Sequence, residues 1–212
     1  MNKEELEAQV TLLEDRLRIV EDVKEIKKLQ RIYGYYLDYG MWTEVIDLFS
    51  DNAESVEIAD SGVFLGKAGI ERFFIGVMKA NRVPKEAPPP GELHAAMIGQ
   101  PVVTIAPDGK KAFGRWQSLE CAASPVEGTW RQYWAHGIYE NEYIKENGKW
   151  RFMKLHFHLS FRTPYEDGWL KTPVIGSCTH PTVKPDKPST NYRPYPEVAT
   201  VPFHYKHPLT GK

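Results

Sequence analysis

The sequence predicts one α+β domain, in which helices come first and a long antiparallel sheet follows. Apolar residues repeat every three to four positions as far as about residue 80, and every second position between residues 93 and 162. With 212 residues, the chain is long enough for one domain with extensions but too short for two domains of ordinary size. A strongly bent sheet wrapped around the helices would enclose an apolar cavity, the kind of site that small molecules occupy.

The composition excludes several classes of partner. The chain is 42% hydrophobic and 26% charged, and its 27 basic and 28 acidic residues give a net charge of -1. Because no basic stripe stands out, nucleic acid and acidic membranes are not expected partners. The charged start, MNKEELEAQV, lacks an apolar signal segment, and no apolar run approaches the roughly 20 residues of a membrane span. We therefore expect a cytoplasmic protein.

A long helix is predicted over residues 4–39. Its first part carries apolar residues at alternating spacings of four and three, which is a heptad seam. The seam consists of Leu6, Val10, Leu13, Leu17 and Val20. It covers fewer than three heptads, so we expect this arm, residues 1–21, to pack on a sister subunit or on its own domain. With the outward-facing sheet surface, it predicts a homo-oligomer, dimer or trimer. The helix should end at Gly40.

Shorter elements follow. A second helix is predicted with Thr43 as its N-cap, then two strands, 54–60 and 63–65, joined by a turn at Ser61-Gly62. A third helix is predicted over 67–80, with five apolar residues on its buried side: Ile70, Phe73, Phe74, Val77 and Met78. Prolines then predict a stiff loop; they are Pro84, Pro88, Pro89 and Pro90.

Four long strands and an extended tail complete the chain. The strands are predicted at 93–106, 111–123, 129–145 and 150–162, with glycine turns inside the first and last pairs. Residues 163–212 hold 9 of the 16 prolines, but also aromatic residues that disordered tails usually lack. We expect this tail to be extended and docked, either across a neighbouring subunit or at the pocket mouth.

Three segments carry a resemblance to a known family. LQRIYGYYLDYGMWTEVIDLFSDNAE resembles the first-helix signature of SnoaL-like domains, which belong to the nuclear transport factor 2-like superfamily. GELHAAMIGQPVVTI and GIYENEYIKENGKWRFMKL fit the later strands of that family in order and spacing. The resemblance covers residues 22–162 and implies a cone formed by a curved sheet around N-terminal helices. The fold hosts several chemistries and non-enzymatic subunits, so it does not by itself imply one reaction.

Among enzymes of this fold, the arrangement is most similar to scytalone dehydratases and bile-acid 7α-dehydratases, which are cofactor-free lyases. Tyr33 and Asp38 match a tyrosine and an aspartate of the bile-acid enzymes, and His94 matches the histidine that opens the strand after the long loop. Tyr139 falls on a pocket-facing position. Trp116 stands where scytalone dehydratase has a second histidine, which departs from its two-histidine mechanism. The length, aromatic richness and tail also resemble the diarylpropane lyases, which release formaldehyde without a cofactor.

The candidate residues suit proton transfer in an apolar pocket. Asp38 lies in the last helical turn, where a carboxylate opposes the helix dipole at about 0.3–1 kcal/mol and so needs a partner. The pKa of an unperturbed histidine is about 6.5, so His94 suits acid–base catalysis beside that aspartate. Tyr33 and Tyr139 could hold a leaving hydroxyl, although tyrosines at such spacings are often plain core. Aromatic residues are predicted to line the substrate pocket: Trp116, Phe73, Phe74 and Tyr36.

Other residues are assigned a structural role. His156 and His158 form an H-x-H on one strand, but no third metal ligand has suitable spacing, so we predict no metal. The opposite face of that strand, including Phe161, is expected to face the core; the histidines, Lys154 and Arg162 should then face solvent or an interface. Trp134 is interpreted as cavity wall or core. Cysteines 121 and 178 form no framework or metal pair, and no nucleotide-binding motif occurs.

The sequence therefore supports two hypotheses. The first is a cofactor-independent lyase that dehydrates or deformylates a hydroxylated aromatic or polycyclic molecule, such as a lignin-derived diarylpropane. The alternative is a non-catalytic binding or assembly subunit of the same fold. The two differ in the aspartate–histidine pair: a plugged pocket or an outward-facing His94 would favour the alternative.

Overall fold

The computed structural model describes residues 2–79, 90–126 and 128–212. Most of the predicted proline loop, with Pro84, Pro88 and Pro89, lies outside these residues. Within them, none of the helices is both long and apolar enough to cross a membrane.

Helix α1 covers Lys3–Asp38, close to the predicted range. It begins with a capping box, in which the Asn2 side chain accepts from the Glu5 N–H and the Glu5 carboxylate accepts from the Asn2 N–H, both at 2.9 Å. It ends as predicted before Gly40, whose φ of 64° only glycine adopts without strain. Every residue from 2 to 21 is exposed, and the buried side of α1 starts at Asp22.

Two shorter helices pack beside α1. Helix α2 covers Trp42–Asp47 and starts two residues earlier than predicted; Thr43 is not its N-cap. Met41 takes that position because its N–H donates to the Tyr36 carbonyl, which carries the chain from α1 directly into α2. Helix α3 covers Gly66–Glu71 and continues as a π-helical segment, Arg72–Met78.

The six strands form one sheet in the order β2-β1-β6-β5-β4-β3. Their bounds are β1 Ser55–Ile58, β2 Val63–Leu65, β3 Leu93–Ile105, β4 Lys111–Val126, β5 Thr129–Glu146 and β6 Lys149–Pro164. The predicted purely antiparallel sheet is wrong in one place, because β1 pairs in parallel with β6. Hairpin turns predict the pairing of strands that are consecutive in the chain, whereas β1 and β6 come from opposite ends of the domain.

The inner face of the sheet, which packs against α1, forms the core. Four aromatic rings pack edge to face or tilted, at centroid distances of 5.2–6.0 Å: Tyr33, Phe49, Phe74 and Phe152. Beside them, the Trp116 indole N–H donates to the Tyr143 hydroxyl at 3.0 Å, and that hydroxyl donates to Gln30 Oε1 at 2.8 Å. This buried polar chain ties α1 to β4 and β5.

A β-bulge in β6 reverses which side chains face inward. Gly137 of β5 pairs with Leu159, but His136 pairs with Phe161, so Ser160 is the extra residue. Beyond it, Phe161 lies on the outer face, where it stacks on His136 at 5.8 Å. Arg162 turns to the inner face opposite Ala135. The predicted core position of Phe161 and surface position of Arg162 are therefore both wrong, since an inserted residue shifts the two-residue period by one.

The tail docks on its own domain. The Tyr195 N–H donates to the Ser160 carbonyl at 2.7 Å, and Arg115 donates to the Val201 carbonyl at 3.1 Å. It includes a short helix, α4, at Gly168–Lys171, which the sequence did not predict. Residues from 190 to 201 cover the outer-face pair His156 and His158. The prediction that this pair faces solvent or a subunit interface is thus wrong, because the chain's own tail covers it.

Candidate active site

Asp38 is the last residue of α1, and its carboxylate is anchored by the edge strand β3. Oδ1 lies 2.9 Å from His94 Nδ1 and also accepts the Ala96 backbone N–H at 2.9 Å. No basic residue occupies the last turn of α1, so the compensation that the helix dipole requires comes from β3. The aspartate and histidine predicted to pair are therefore in hydrogen-bond contact; their catalytic role remains a prediction.

A second carboxylate lies on the other side of the same imidazole. His94 Nε2 is 3.1 Å from Glu120 Oε1, on the neighbouring strand β4. The side chains of His94, Asp38 and Glu120 are only 15%, 17% and 20% exposed. A carboxylate oxygen only accepts hydrogen bonds, so both contacts are hydrogen bonds when each ring nitrogen carries a proton. The site thus accommodates an imidazolium between two carboxylates.

The surroundings of Glu120 keep it ionised. Burial opposes its charge, but the adjoining His94, the charge of Arg162 and a hydrogen bond from Tyr133 outweigh burial and lower the pKa of Glu120 to about 2. Burial, followed by the charge of Glu120, raises the pKa of the Tyr133 phenol to about 12. At neutral pH the site therefore contains a carboxylate and, next to it, a phenol that keeps its proton.

Arg162 is a buried cation at this site, and the tail holds it in place. Its Nη2 lies 3.2 Å from the sulfur of Cys178, and Nη1 donates to the Ile175 carbonyl at 3.4 Å. Burial disfavours the charge of Arg162, yet its pKa is raised because Cys178, Glu120 and Tyr133 surround it. Residues 173–178 thus contribute directly to the wall of the site.

The two predicted tyrosines lie side by side on the inner face. The rings of Tyr33 and Tyr139 meet edge to face with centroids 5.9 Å apart. Burial raises the pKa of both phenols, and the nearby charges of Glu120 and Asp38 raise that of Tyr139 further. The Tyr33 hydroxyl is buried, and its hydrogen-bonding neighbour is the Tyr139 hydroxyl. A substrate oxygen could form a further hydrogen bond with this pair.

The predicted wall residues are mostly structural in this arrangement. Phe73 and Phe74 are fully buried and meet edge to face, with centroids 5.1 Å apart, and Tyr36 packs against the same core. Trp116 is also buried, and its indole N–H donates a hydrogen bond to the Tyr143 hydroxyl. Trp134 lies on the outer face and stacks on Tyr165, so its assignment to cavity wall or core is wrong. A substrate-binding role for the first four stays a prediction.

Two charged residues of the site were missed, for different reasons. Glu120 could have been found, because the alternation that turns Trp116 inward also turns inward each second residue after it along β4. Arg162 could not have been found, because its orientation depends on the bulge at Ser160. The alternation of apolar and polar residues along β6 does not indicate this bulge.

A metal centre has no support within residues 2–79, 90–126 and 128–212, since no cluster of three suitable ligands occurs there. The His156 and His158 rings lie 3.7 Å apart by centroid, and His156 Nε2 is 3.4 Å from Glu57 Oε2. Burial, together with the charge of Lys154 and the second histidine, lowers the pKa of His156 to about 3. Burial and the charge of Arg115 lower that of His158 to about 4. The pair is therefore neutral at physiological pH.

Comparison with known proteins identifies the family. Residues 18–156 match the family model of the SnoaL-like domain. The chain belongs to the SnoaL-like family. No curated protein matches the sequence. The family membership agrees with the six-stranded sheet and N-terminal helices described above.

Several solved structures are similar to this chain. LinA has a TM-score of 0.59 at 17% identity, over 70% of this chain and 92% of LinA. The dehydrochlorinase LinA-type3 from Novosphingobium barchaimii has a TM-score of 0.58 at 17% identity, over 70% and 93%. A scytalone dehydratase-like protein from Novosphingobium aromaticivorans has a TM-score of 0.55 at 16% identity, over 70% and 90%. At these identities the likeness concerns the fold.

Proposed function

We propose that this protein is a cofactor-independent lyase that eliminates water or formaldehyde from a hydroxylated aromatic or polycyclic small molecule. The observation that carries the proposal is the buried imidazole of His94, held between the carboxylates of Asp38 and Glu120. Elimination needs one group that protonates the leaving oxygen and one that removes a proton. A histidine that exchanges one proton can serve both purposes. The dehydrochlorinase and dehydratase-like relatives in the same fold family support this class of reaction.

The two sides of the imidazole are suited to different tasks. Asp38 Oδ1 makes two hydrogen bonds, one with His94 Nδ1 and one with the Ala96 N–H. The Ala96 bond holds the carboxylate in place, so its contact with Nδ1 orients the imidazole ring. Glu120 is the more distant partner of the two, at 3.1 Å from Nε2. We infer that Nε2 donates its proton to the substrate and that Glu120 stabilises the charged ring before this transfer. Tyr33 and Tyr139 would bind the leaving hydroxyl or a phenolic oxygen of the substrate.

For a phenolic diarylpropane with hydroxyls on its benzylic and terminal carbons, these groups give a balanced reaction. His94 protonates the benzylic hydroxyl, the carbon–oxygen bond breaks, and the phenol releases its proton to solvent water, which leaves water and a quinone methide. The now neutral His94 removes the proton of the terminal hydroxyl. The carbon–carbon bond breaks, formaldehyde leaves, and the electron pair forms the new double bond as the ring becomes aromatic again and regains its proton. The products are one stilbene, one water and one formaldehyde.

The alternative, a non-catalytic binding or assembly subunit, fits the site less well. It predicts a plugged pocket or an outward-facing His94. Phe73, Phe74 and Trp116 do pack in the core, as the alternative expects, but the His94 side chain is largely buried between two carboxylates. Buried charged groups are costly unless they are paired, and a binding protein for apolar molecules has no need of them.

The proposal is tested with a panel of hydroxylated diaryl and polycyclic compounds, with products read by mass and by a formaldehyde assay. We expect turnover of at least one compound, and the same rate after extensive dialysis against a chelator. Activity that disappears on dialysis and returns only with added metal would contradict a cofactor-independent mechanism. Tight binding of several compounds without any turnover would favour the binding protein.

A further inference from the structure

The N-terminal arm leaves an apolar seam without cover from its own domain. The five seam residues are between 46% and 64% exposed: Leu6, Val10, Leu13, Leu17 and Val20. The domain begins at Asp22, whose carboxylate accepts from Lys145 at 2.6 Å and from the Trp150 indole at 2.8 Å. The arm before it is about 30 Å long. Most helical stability in proteins comes from the packing of an apolar face, and within the described residues the domain packs nothing against this part of the helix.

The seam points away from the domain. The side of α1 that packs into the core runs through Ile26, Leu29, Tyr33 and Leu37. At 3.6 residues per turn, the centre of that side lies about 175° around the helix axis from the centre of the seam, on the opposite side of the helix. A second molecule can therefore reach the seam without displacing any contact of the domain.

We propose that the seam pairs in parallel and in register with the same seam of a second copy of this chain, as a short two-stranded coiled coil. If Leu6, Leu13 and Val20 take heptad position d, then Val10 and Leu17 take position a. Val10 with the two leucines has the β-branched a and leucine d that two-stranded parallel pairs prefer, and Leu17 with Val20 reverses that order. Lysines at the flanking a positions, Lys3 and Lys24, limit the seam at both ends. This assembly is independent of the proposed reaction.

The charges beside the seam select the parallel orientation. The three e positions are all acidic: Glu7, Glu14 and Glu21. An antiparallel pair would bring these carboxylates together across the interface, whereas a parallel pair sets each against a g position of the other chain. The g positions are Asn2, Gln9 and Arg16, so Arg16 meets Glu21 of the second copy and the two amides meet the other carboxylates.

Two adjacent leucines give a matched test. Leu13 lies in the seam, and Leu12 lies beside it. Their side chains are 61% and 57% exposed, so a substitution at either position removes no packing within the domain. We expect the full chain to sediment as a dimer at micromolar concentration. Leu13→Glu should raise the dissociation constant at least about a hundredfold, because each of two leucines loses its burial. Leu12→Glu should change it less than about threefold.

Disulfide trapping tests orientation and register. Leu6→Cys and Val20→Cys chains are mixed in a glutathione redox buffer, and cross-linked peptides are identified by mass, with the wild-type chain as control for Cys121 and Cys178. Parallel pairing predicts Cys–Cys bonds joining position 6 to 6 and 20 to 20; bonds joining 6 to 20 would show antiparallel pairing and overturn the proposal. A monomeric or trimeric wild type, or a Leu13→Glu variant that still dimerises, would overturn it too.

Discussion

The two faces of the sheet carry histidines in opposite electrostatic settings. On the inner face, His94 bridges two carboxylates, which favours the charged ring. On the outer face, His156 and His158 stack on each other under the tail, and burial beside Lys154 and Arg115 lowers the pKa of both, which favours the neutral ring. Both sites are largely buried, so burial alone does not distinguish the two kinds of histidine.

The tail contributes to both faces. On the outer face the Thr190 N–H donates to the Glu57 carboxylate beside His156, which covers the neutral pair. On the inner side Cys178 and the Ile175 carbonyl hold Arg162 near Glu120. The same extension thus excludes water from one histidine site and completes the charge balance of the other.

The largest effect is expected from the Asp38–His94 pair. Asp38→Asn and His94→Ala should each lower kcat by at least about a hundredfold, since general acid–base groups contribute typically 10²- to 10⁴-fold. The double variant should be little worse than either single one, because residues that act as a unit are not additive. Circular dichroism serves as the control for the fold. Fully additive losses would show that the two residues do not act together.

Glu120→Gln separates the second carboxylate from the first. The pKa of Glu120 is about 2 in the folded protein, below its ordinary value, so the unfolded chain takes up this proton first as the pH falls. The stability that the carboxylate provides is therefore complete above about pH 5 and is lost towards pH 2. Urea unfolding should show the largest gap between wild type and Glu120→Gln near neutral pH, with the two curves converging at acid pH. A constant gap would contradict the ionised state of Glu120.

The outer histidine pair should also lose stability as the pH falls, but over a higher pH interval than Glu120. The pKa values of about 3 and about 4 mean that the unfolded chain binds protons below about pH 6.5 while the folded pair stays neutral. Wild type should therefore lose stability as the pH falls from 6.5 to 4, by about 1–3 kcal/mol for each histidine. A His156→Gln/His158→Gln double variant should lose less over the same interval. Equal losses in urea unfolding would show that the pair is already charged.

The parts of the site that follow from local sequence patterns or from the family signature could be predicted from the sequence, and the parts that depend on other contacts between distant residues could not. The helix stop at Gly40, the strands and the placing of His94 beside Asp38 follow from local periodicity and the family signature. The parallel pairing of β1 with β6, the bulge that turns Arg162 inward and the docking of the tail do not. These depend on contacts between residues far apart in the chain, which no short window of sequence records.

The central claim is that the histidine between the carboxylates, and not the histidine under the tail, moves the proton. It is tested most directly by comparing kcat of His94→Gln and His158→Gln on the same substrate, because glutamine keeps hydrogen-bonding capacity but cannot exchange the proton at neutral pH. The account predicts a loss of at least about a hundredfold for His94→Gln and a change of less than about threefold for His158→Gln. A His94→Gln variant within about threefold of wild type would contradict the account.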